Sequence, residues 1–160
     1  LILCIFTLMR PRQTPTGAEL KDFQDCLCLA LRRTTRIVTQ RYDAVLRPFG
    51  LRATQLPILT AAATGGGLRL APLAESLGMD RTTLLRNVRP LVRRRLVDVR
   101  RAAGHRHDEL RATAKGRALL ARVYPAWRGV QDEVRAQVPD SGWRLALRDL
   151  GQSGTHQRRA

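Results

Sequence analysis

The stretch LGMDRTTLLRNVRPLVRRRLV, residues 77 to 97, combines a regular row of Leu and Val with six arginines between Arg81 and Arg95. On a helical wheel the apolar residues recur at positions i, i+1, i+4, i+7 and i+8 and form one stripe, made of Leu84, Leu85, Val88, Leu91 and Val92. The opposite side collects arginines and small polar residues. The pattern predicts a helix that packs one face against the protein and leaves a cationic face in solvent.

The segment before this helix has the features of a helix-turn-helix. Pro72 suits the first position of a short helix, and Gly78 follows four residues after the small residue Ala74. The small residue permits close helix packing, and the glycine can adopt the turn conformation. Asp80 is placed to cap the next helix, because its carboxylate accepts hydrogen bonds from free amides.

The segment after the helix predicts a β-hairpin. From Leu96 onward two short alternating runs flank Ala103 and Gly104, and the tip between them is rich in arginine. Thr113 then caps a long helix whose apolar stripe is too broad for a lone surface helix, so we expect it to pack on another subunit. A helix-turn-helix followed by such a hairpin is a winged helix.

Composition agrees with a mostly α fold. The chain has 160 residues, 44% of them apolar but only 4% aromatic, so its core must consist of small and medium aliphatic side chains. Further helices are predicted over 22–46, 53–63 and 142–150. The predicted fold is a winged helix-turn-helix with the order helix, helix, strand, helix, helix, strand, wing, strand, helix, helix.

The domain boundaries follow from these elements. We expect a disordered leader over 1–17, with Met9 as a candidate true start, a single domain over 18–150, and a disordered tail over 151–160. Within the domain, we expect a winged-helix lobe over 52–112 and a helical lobe over 18–48 with 113–150.

Charge distribution points to nucleic acid. The chain carries 29 Lys and Arg against 13 Asp and Glu, a net charge of +16. With only two lysines, codon bias in a GC-rich genome is an alternative source of arginine. Residues 81 to 111, however, hold ten arginines and three acids, a local excess of seven positive charges. This clustering favours a nucleic-acid-binding face.

Cysteine usage and hydropathy predict a cytoplasmic protein. Three cysteines, Cys4, Cys26 and Cys28, are too few for a disulfide framework. The apolar opening LILCIFTLM has nine residues, whereas a membrane-spanning helix needs about 20. We therefore expect no membrane association.

The order of elements resembles the MarR family of winged-helix transcription regulators over roughly residues 26–150. The most specific stretches are RYDAVLRPFGLRATQLPIL at 41–59, LAESLGMDRTTLLRNVRPL at 73–91 and YPAWRGVQDEV at 124–134. The resemblance implies a homodimer joined by its first and last helices. In that arrangement 52–112 is the DNA-binding lobe, and 18–48 with 113–150 is the dimerisation lobe. The resemblance also implies a recognition helix in each major groove and a wing arginine in the adjacent minor groove.

The same resemblance implies the DNA-contacting residues. Thr82, Thr83 and Arg86 would face bases, and Asn87 and Arg89 would lie near bases or backbone. On chemical grounds Arg86 is the best candidate for a bidentate contact to guanine, while Arg93 and the later arginines 94, 95, 100 and 101 would neutralise phosphates.

The wing departs from the family pattern. Many members carry Asp-x-Arg-x-Arg before Leu-Thr, whereas this chain has Gly104 and Asp108 at the outer positions and keeps only Arg106. We therefore expect Arg106 to enter the minor groove and the wing to bind weakly. His105 and His107 lack a metal-binding constellation and are expected to be wing contacts, so no metal or cofactor is predicted.

Two routes to regulation stay open. Cys26 and Cys28 could sense oxidation, as resemblance to the organic-hydroperoxide branch of the family suggests, although cysteines in this position more often act as small hydrophobes. Tyr42, Tyr124 and Trp127 could line a pocket for a small-molecule effector, although aromatic residues on helix faces usually belong to the core.

The leading hypothesis is a dimeric, sequence-specific DNA-binding regulator, a repressor of an imperfect palindromic operator. The alternative is an architectural or RNA-associated winged helix that binds nucleic acid without sequence preference. An enzyme is the weakest option, because no catalytic triad, phosphate loop or carboxylate pair is found, and TGGG at 64–67 lacks the Lys that a phosphate loop requires.

Overall fold

A computed structural model describes Thr14 and residues 16–64, 67–101 and 108–138. The chain divides into a first unit that ends at Ile37 and a second unit that begins at Val38. The expected wing tip with Arg106, the expected helix over 142–150, and nearly all of the expected leader lie outside the described residues.

The first unit contains a short helix that the periodicity did not predict. Helix α1 spans Gly17–Asp22, a 3₁₀ turn follows over Phe23–Asp25, and helix α2 spans Leu27–Leu46. The expected start of a single helix at residue 22 is therefore wrong. Thr16 and Glu19 form a capping box, which begins α1 ahead of the apolar periodicity, and the TGAE sequence that encodes it is a recognisable signal.

The second unit continues from the last turns of α2. A 3₁₀ turn over Arg47–Phe49 ends at Gly50, which has a left-handed backbone conformation with φ of 66°. Helix α3 spans Leu56–Thr64 rather than starting at residue 53. Its start is delayed because residues 53–55 form a turn in which the amide of Ala53 donates to Asp43 Oδ1 at 2.6 Å.

The remaining elements follow the predicted order. Strand β1 spans Leu68–Arg69, helix α4 Leu70–Ser76, helix α5 Arg81–Arg93, strand β2 Val97–Arg101, strand β3 Asp108–Ala112, and helix α6 Ala114–Ala136. The three strands form one antiparallel sheet in the order β1-β3-β2. Leu110 of β3 pairs with Leu68 on one side and Val99 on the other. The predicted winged helix-turn-helix fold is thus confirmed.

The junction between the sheet and α6 is close-packed. Thr113 caps α6 by accepting from the amide of Gly116 at 3.0 Å, as predicted, and its own amide donates to the carbonyl of Leu96. A Cβ on Gly116 would lie 2.1 Å from that Leu96 oxygen. Glycine is therefore the residue that lets α6 pass this close to the start of β2.

One aliphatic core holds the elements of the second unit together. Its fully buried members come from α2, α3, α5, the strands and α6, and the largest are Leu46, Ile58, Leu59, Leu84, Leu91, Leu96, Leu110, Val97 and Val123. Each buried Leu or Ile contributes about 2 kcal/mol relative to exposure. Helices α4 and α5 and the three strands therefore pack on one common core.

Candidate nucleic-acid interface

Helices α4 and α5 form the helix-turn-helix that the sequence predicts. Gly78 lies in the turn between them with a φ of 62°, a conformation that L side chains rarely adopt. Asp80 caps α5, because its carboxylate accepts from the amide of Thr83 at 2.8 Å and from the Thr83 hydroxyl at 2.7 Å. These hydrogen bonds, the one from the hydroxyl foremost, lower the pKa of Asp80 below its ordinary value. The cap therefore stays charged at neutral pH.

Helix α5 is anchored by the apolar stripe. Leu84, Val88 and Leu91 are 0 to 3% exposed, and Leu85 is half-buried. Val92 departs from the expectation because 38% of it is exposed. It lies at the margin of the stripe, one residue before the last residue of the helix. The stripe fixes the rotation of the helix about its axis.

The opposite face of α5 is cationic and exposed. Thr82, Arg86, Arg89 and Arg93 are all exposed. In the described parts of the chain, ion pairs join Asp98 to Arg100, Glu109 to Arg111 and Asp132 to Arg128, and none of them includes an arginine of α5. The guanidinium groups of this face are thus not neutralised by carboxylates of the described residues.

Two of the predicted DNA-contacting side chains on α5 are engaged within the protein. Thr83 is half-buried and uses its hydroxyl hydrogen on Asp80. Asn87 accepts from the Thr54 hydroxyl at 2.8 Å and donates to the carbonyl of Thr83 at 2.9 Å. These contacts tie the recognition helix to the turn before α3.

A cationic cleft lies between α5 and the segment that joins α2 to α3. It has a volume of about 820 Å³, and its lining includes Arg47, Arg52, Arg86 and Arg93 against the single carboxylate of Asp43. One oxygen of Asp43 is engaged by the amide of Ala53. Sequence reasoning did not identify Arg47 and Arg52, although their position on both sides of the PFG turn was a usable signal.

Arg94 departs from the expectation that it would neutralise a DNA phosphate, because it is bonded within the protein. Its guanidinium is half-buried and donates through Nη1 to the carbonyl of Gly50 and through Nη2 to the carbonyl of Phe49, the latter at 2.9 Å. The carbonyl of Arg94 accepts in turn from Lys115 Nζ at 3.1 Å. The side chain is therefore an internal brace.

The hairpin supports the wing but is described only at its base. Strands β2 and β3 pair from Val97 opposite Ala112 to Arg101 opposite Asp108. Ion pairs join Arg100 to Asp98 at 3.7 Å and Arg111 to Glu109 at 3.1 Å. Arg106, His105 and His107 lie outside the described residues.

A second, apolar cavity lies beside α3 and α6. Its volume is about 440 Å³, and Tyr42 and Trp127 line it together with Leu56, Pro57 and Ala61. The hydroxyl of Tyr42 donates to Gln131 Oε1 at 2.7 Å, and burial raises the pKa of Tyr42. Tyr124 stands outside the lining, with its ring centroid 5.9 Å from that of Trp127.

The first unit is notable for exposed apolar side chains and two thiols. Its exposed large hydrophobic residues are Leu20, Phe23, Leu27, Leu29, Leu31 and Ile37. Cys26 and Cys28 are free thiols and both are exposed. Cys26 precedes the first residue of α2, so the two cysteines do not lie within one regular helix as the sequence suggested.

Metal and membrane features were also sought in the described ranges. There, no group of three or more His, Cys, Asp and Glu side chains is arranged to hold a metal ion. None of the helices that the structure describes is both long and apolar enough to cross a bilayer.

Together the capped recognition helix, the glycine turn and the three-stranded sheet define a winged helix-turn-helix protein. The transcriptional regulator MosR of Mycobacterium tuberculosis, solved in complex with DNA, is 41% identical to this chain. The match covers 83% of this chain and 98% of the MosR chain, with a TM-score of 0.73. A second MosR structure gives 38% identity, coverage of 86% and 99%, and a TM-score of 0.71. A MarR family protein of the same organism, in complex with p-aminosalicylic acid, gives 25% identity, coverage of 81% and 98%, and a TM-score of 0.58.

No family model matches the chain, and no curated protein does. The two MosR structures nevertheless show the family of this chain, because they combine high coverage of both chains with substantial identity. The chain belongs to the MarR family of transcriptional regulators. The resemblance inferred from sequence is thereby confirmed.

Proposed function

We propose that the protein is a dimeric, sequence-specific DNA-binding regulator that represses transcription and is released by a small-molecule or oxidative signal. The observation that carries the proposal is helix α5, whose buried stripe holds a face of exposed arginines that no described carboxylate neutralises. The structure of MosR in complex with DNA supports it. A regulator of this kind acts where the chromosome lies, in the cytoplasm.

Recognition would begin with α5 in the major groove. Arg86 lies in the first half of the helix, where its planar guanidinium can donate two hydrogen bonds to guanine, a contact that contributes about 1–3 kcal/mol of discrimination. Thr82 lies one turn before it and would also face base edges. Arg89 and Arg93 lie further along the same exposed face and would contact the phosphate backbone of the DNA. Arg106 of the wing would enter the minor groove.

The cationic cleft would hold the phosphate backbone that borders this groove. Arg47 and Arg52 line the cleft from the side opposite Arg86 and Arg93. Phosphate contacts of this type fix the depth and register of a protein on duplex DNA, whereas base contacts supply sequence information. In this proposal Asn87 and Thr83 act by holding α5 in place rather than by reading bases.

Dimerisation would use the apolar surface of the first unit together with α6. The large hydrophobic side chains of the first unit are 40 to 67% exposed, and apolar side chains exposed to this extent are candidates for an interface. A two-fold dimer presents two recognition helices, which requires half-sites about one helical turn apart. The operator would accordingly be an imperfect palindrome.

The signal could act at either of two sites. A small aromatic effector would enter the apolar cavity beside Tyr42 and Trp127, and the p-aminosalicylic acid complex of a MarR family protein supports this route. A peroxide would oxidise the exposed thiol of Cys26 or Cys28 to a sulfenic acid and would itself be reduced to water or an alcohol. The switch would be this sulfenic acid, or the intersubunit disulfide that it forms with a thiol of the partner subunit as water is released. Each route needs a coupling of about 1–3 kcal/mol to DNA binding.

Selection of bound duplexes from a random DNA pool, with and without peroxide, tests the function. We expect a palindromic consensus whose binding survives excess random duplex. Arg86→Ala should flatten the sequence preference more than it lowers total affinity. Binding that random duplex abolishes would instead indicate an architectural protein. For the oxidative route, the double variant Cys26→Ser/Cys28→Ser should abolish the effect of peroxide, and the single variants should show which thiol is the sensor.

A further inference from the structure

Arg94 joins the end of the recognition helix to the end of α2. It is the C-terminal cap residue of α5, and its amide donates to the carbonyl of Pro90. Its guanidinium donates to two adjacent carbonyls, those of Phe49 and Gly50, which lie 45 and 44 residues away in the sequence. One planar side chain thus connects two elements that the sequence separates widely.

The turn that receives Arg94 is continuous with α2. The amide of Gly50 donates to the carbonyl of Arg47 at 2.9 Å, and the amide of Leu51 donates to the carbonyl of Leu46 at 3.2 Å. Gly50 has a left-handed φ, and a Cβ there would lie 3.0 Å from both Nη atoms of Arg94. The turn is therefore shaped for this arginine, and glycine is the residue that permits the close approach.

Two further contacts brace the same region. Asp43 of α2 accepts from the amide of Ala53, and Thr54 donates to Asn87 in the middle of α5. Lys115 of α6 donates to the carbonyl of Arg94. The segment between α2 and α3 is thus connected to α5 at two points more than one helical turn apart, which fixes both the position and the angle of the recognition helix.

We propose that Arg94 is a positioning residue that fixes the angle of α5 relative to α2 and so determines which half-site spacing the dimer accepts. The inference rests on the proposed function, because a spacing preference exists only in a dimer that reads two half-sites. A guanidinium can serve both carbonyls at once because its donors form a rigid planar fork, whereas a lysine ammonium acts as a single point donor. Charge alone therefore does not replace Arg94.

The experiment measures affinity for the selected operator and for versions with one base pair inserted or deleted between half-sites. One base pair changes the relative rotation of the half-sites by about 34°. We expect the wild-type protein to discriminate strongly among the three duplexes. Arg94→Met should lower affinity for the operator by about tenfold and reduce the discrimination among spacings by a similar factor. Arg94→Lys should retain only part of the discrimination.

Matched variants separate positioning from other effects. Arg89→Met removes a charge from the exposed face of α5 and should weaken binding to all three duplexes equally. Arg122→Met removes an exposed charge on α6 and should change neither property. Gly50→Ala strains the left-handed turn that receives Arg94 and also crowds its guanidinium, so it should reduce the discrimination among spacings at least as much as Arg94→Met does.

The outcomes are distinct for the two proposals. If the wild-type protein binds no duplex selectively, the proposed function fails. If the wild-type protein discriminates among spacings and folded Arg94→Met and Arg94→Lys both do so equally well, the role of Arg94 is overturned. If Arg94→Met does not fold, full discrimination by Arg94→Lys would still overturn it.

Discussion

Gly116 lies directly against the carbonyl of Leu96 where α6 passes the start of β2, so replacing it with alanine should have the opposite sign to ordinary helix propensity. A glycine-to-alanine change in a helix usually stabilises a protein by up to about 1 kcal/mol. At Gly116 the added Cβ would lie 2.1 Å from the carbonyl oxygen of Leu96 and 3.2 Å from Cδ1 of Leu59, where ordinary contact begins near 3.4 Å. Helix α6 would have to move by more than 1 Å away from the start of β2.

The loss of stability follows from the packing and the hydrogen bond that this displacement would disrupt. Overpacking of a rigid core costs about 1–3 kcal/mol. The Leu96 oxygen also accepts from the amide of Thr113 at 3.0 Å, and losing that hydrogen bond costs about 1 kcal/mol more. After the propensity gain is subtracted, Gly116→Ala should destabilise the protein by about 2 kcal/mol, which corresponds to a fall in Tm of roughly 6 °C.

Gly129 is the matched control in the same helix. No atom lies within 4 Å of a Cβ built at that position. Gly129→Ala should therefore show only the propensity gain and raise Tm by about 3 °C. Urea and thermal denaturation followed by far-UV circular dichroism measure both variants. If Gly116→Ala is as stable as Gly129→Ala, the packing of α6 against the sheet described above is incorrect.

Further predictions concern the recognition helix and its surroundings. Leu91→Ala, at a fully buried position of the stripe, should lower the free energy of unfolding by about 2–5 kcal/mol and abolish operator binding at temperatures where the variant unfolds. The pKa of Asp80 is lower in the folded protein than its ordinary value of 3.8, so its contribution to stability is complete above that pH and is lost as the pH falls through the folded pKa. Asp80→Asn should keep the cap and weaken this acid dependence, whereas Asp80→Ala should lower stability at neutral pH, as denaturation at several pH values would show. Tyr42→Phe should cost about 1 kcal/mol through loss of the hydrogen bond to Gln131, with operator affinity unchanged.

Much of the fold could be predicted from local sequence patterns. The stripe of α5, the Asp80 cap, the Gly78 turn and the Thr113 cap are all encoded within a few residues, and the structure contains each of them. Local signals also explain the errors at helix starts. The capping box at Thr16 lies outside the apolar periodicity, so periodicity alone places the first helix start too late in the sequence.

The candidate site was harder to predict because its arrangement depends on distant contacts. Periodicity places Arg86 on the exposed side of a helix, but it does not reveal that Asn87 reaches Thr54 or that Arg94 reaches the turn at Gly50. Arg93 and Arg94 are adjacent and chemically identical, yet one side chain is exposed and the other is half-buried on carbonyl groups. Only the three-dimensional arrangement distinguishes an exposed guanidinium from one that supports the helix.

The most direct test measures the affinity of the wild-type protein, Arg86→Ala and Arg122→Ala for a selected operator and for random duplex. Each affinity is measured at several salt concentrations. We expect the wild-type protein and Arg122→Ala to bind the operator in preference to random duplex with the same steep salt dependence. Arg86→Ala should lose most of this preference. Equal binding of all three proteins to operator and random duplex would contradict the claim that the exposed face of α5 reads DNA sequence.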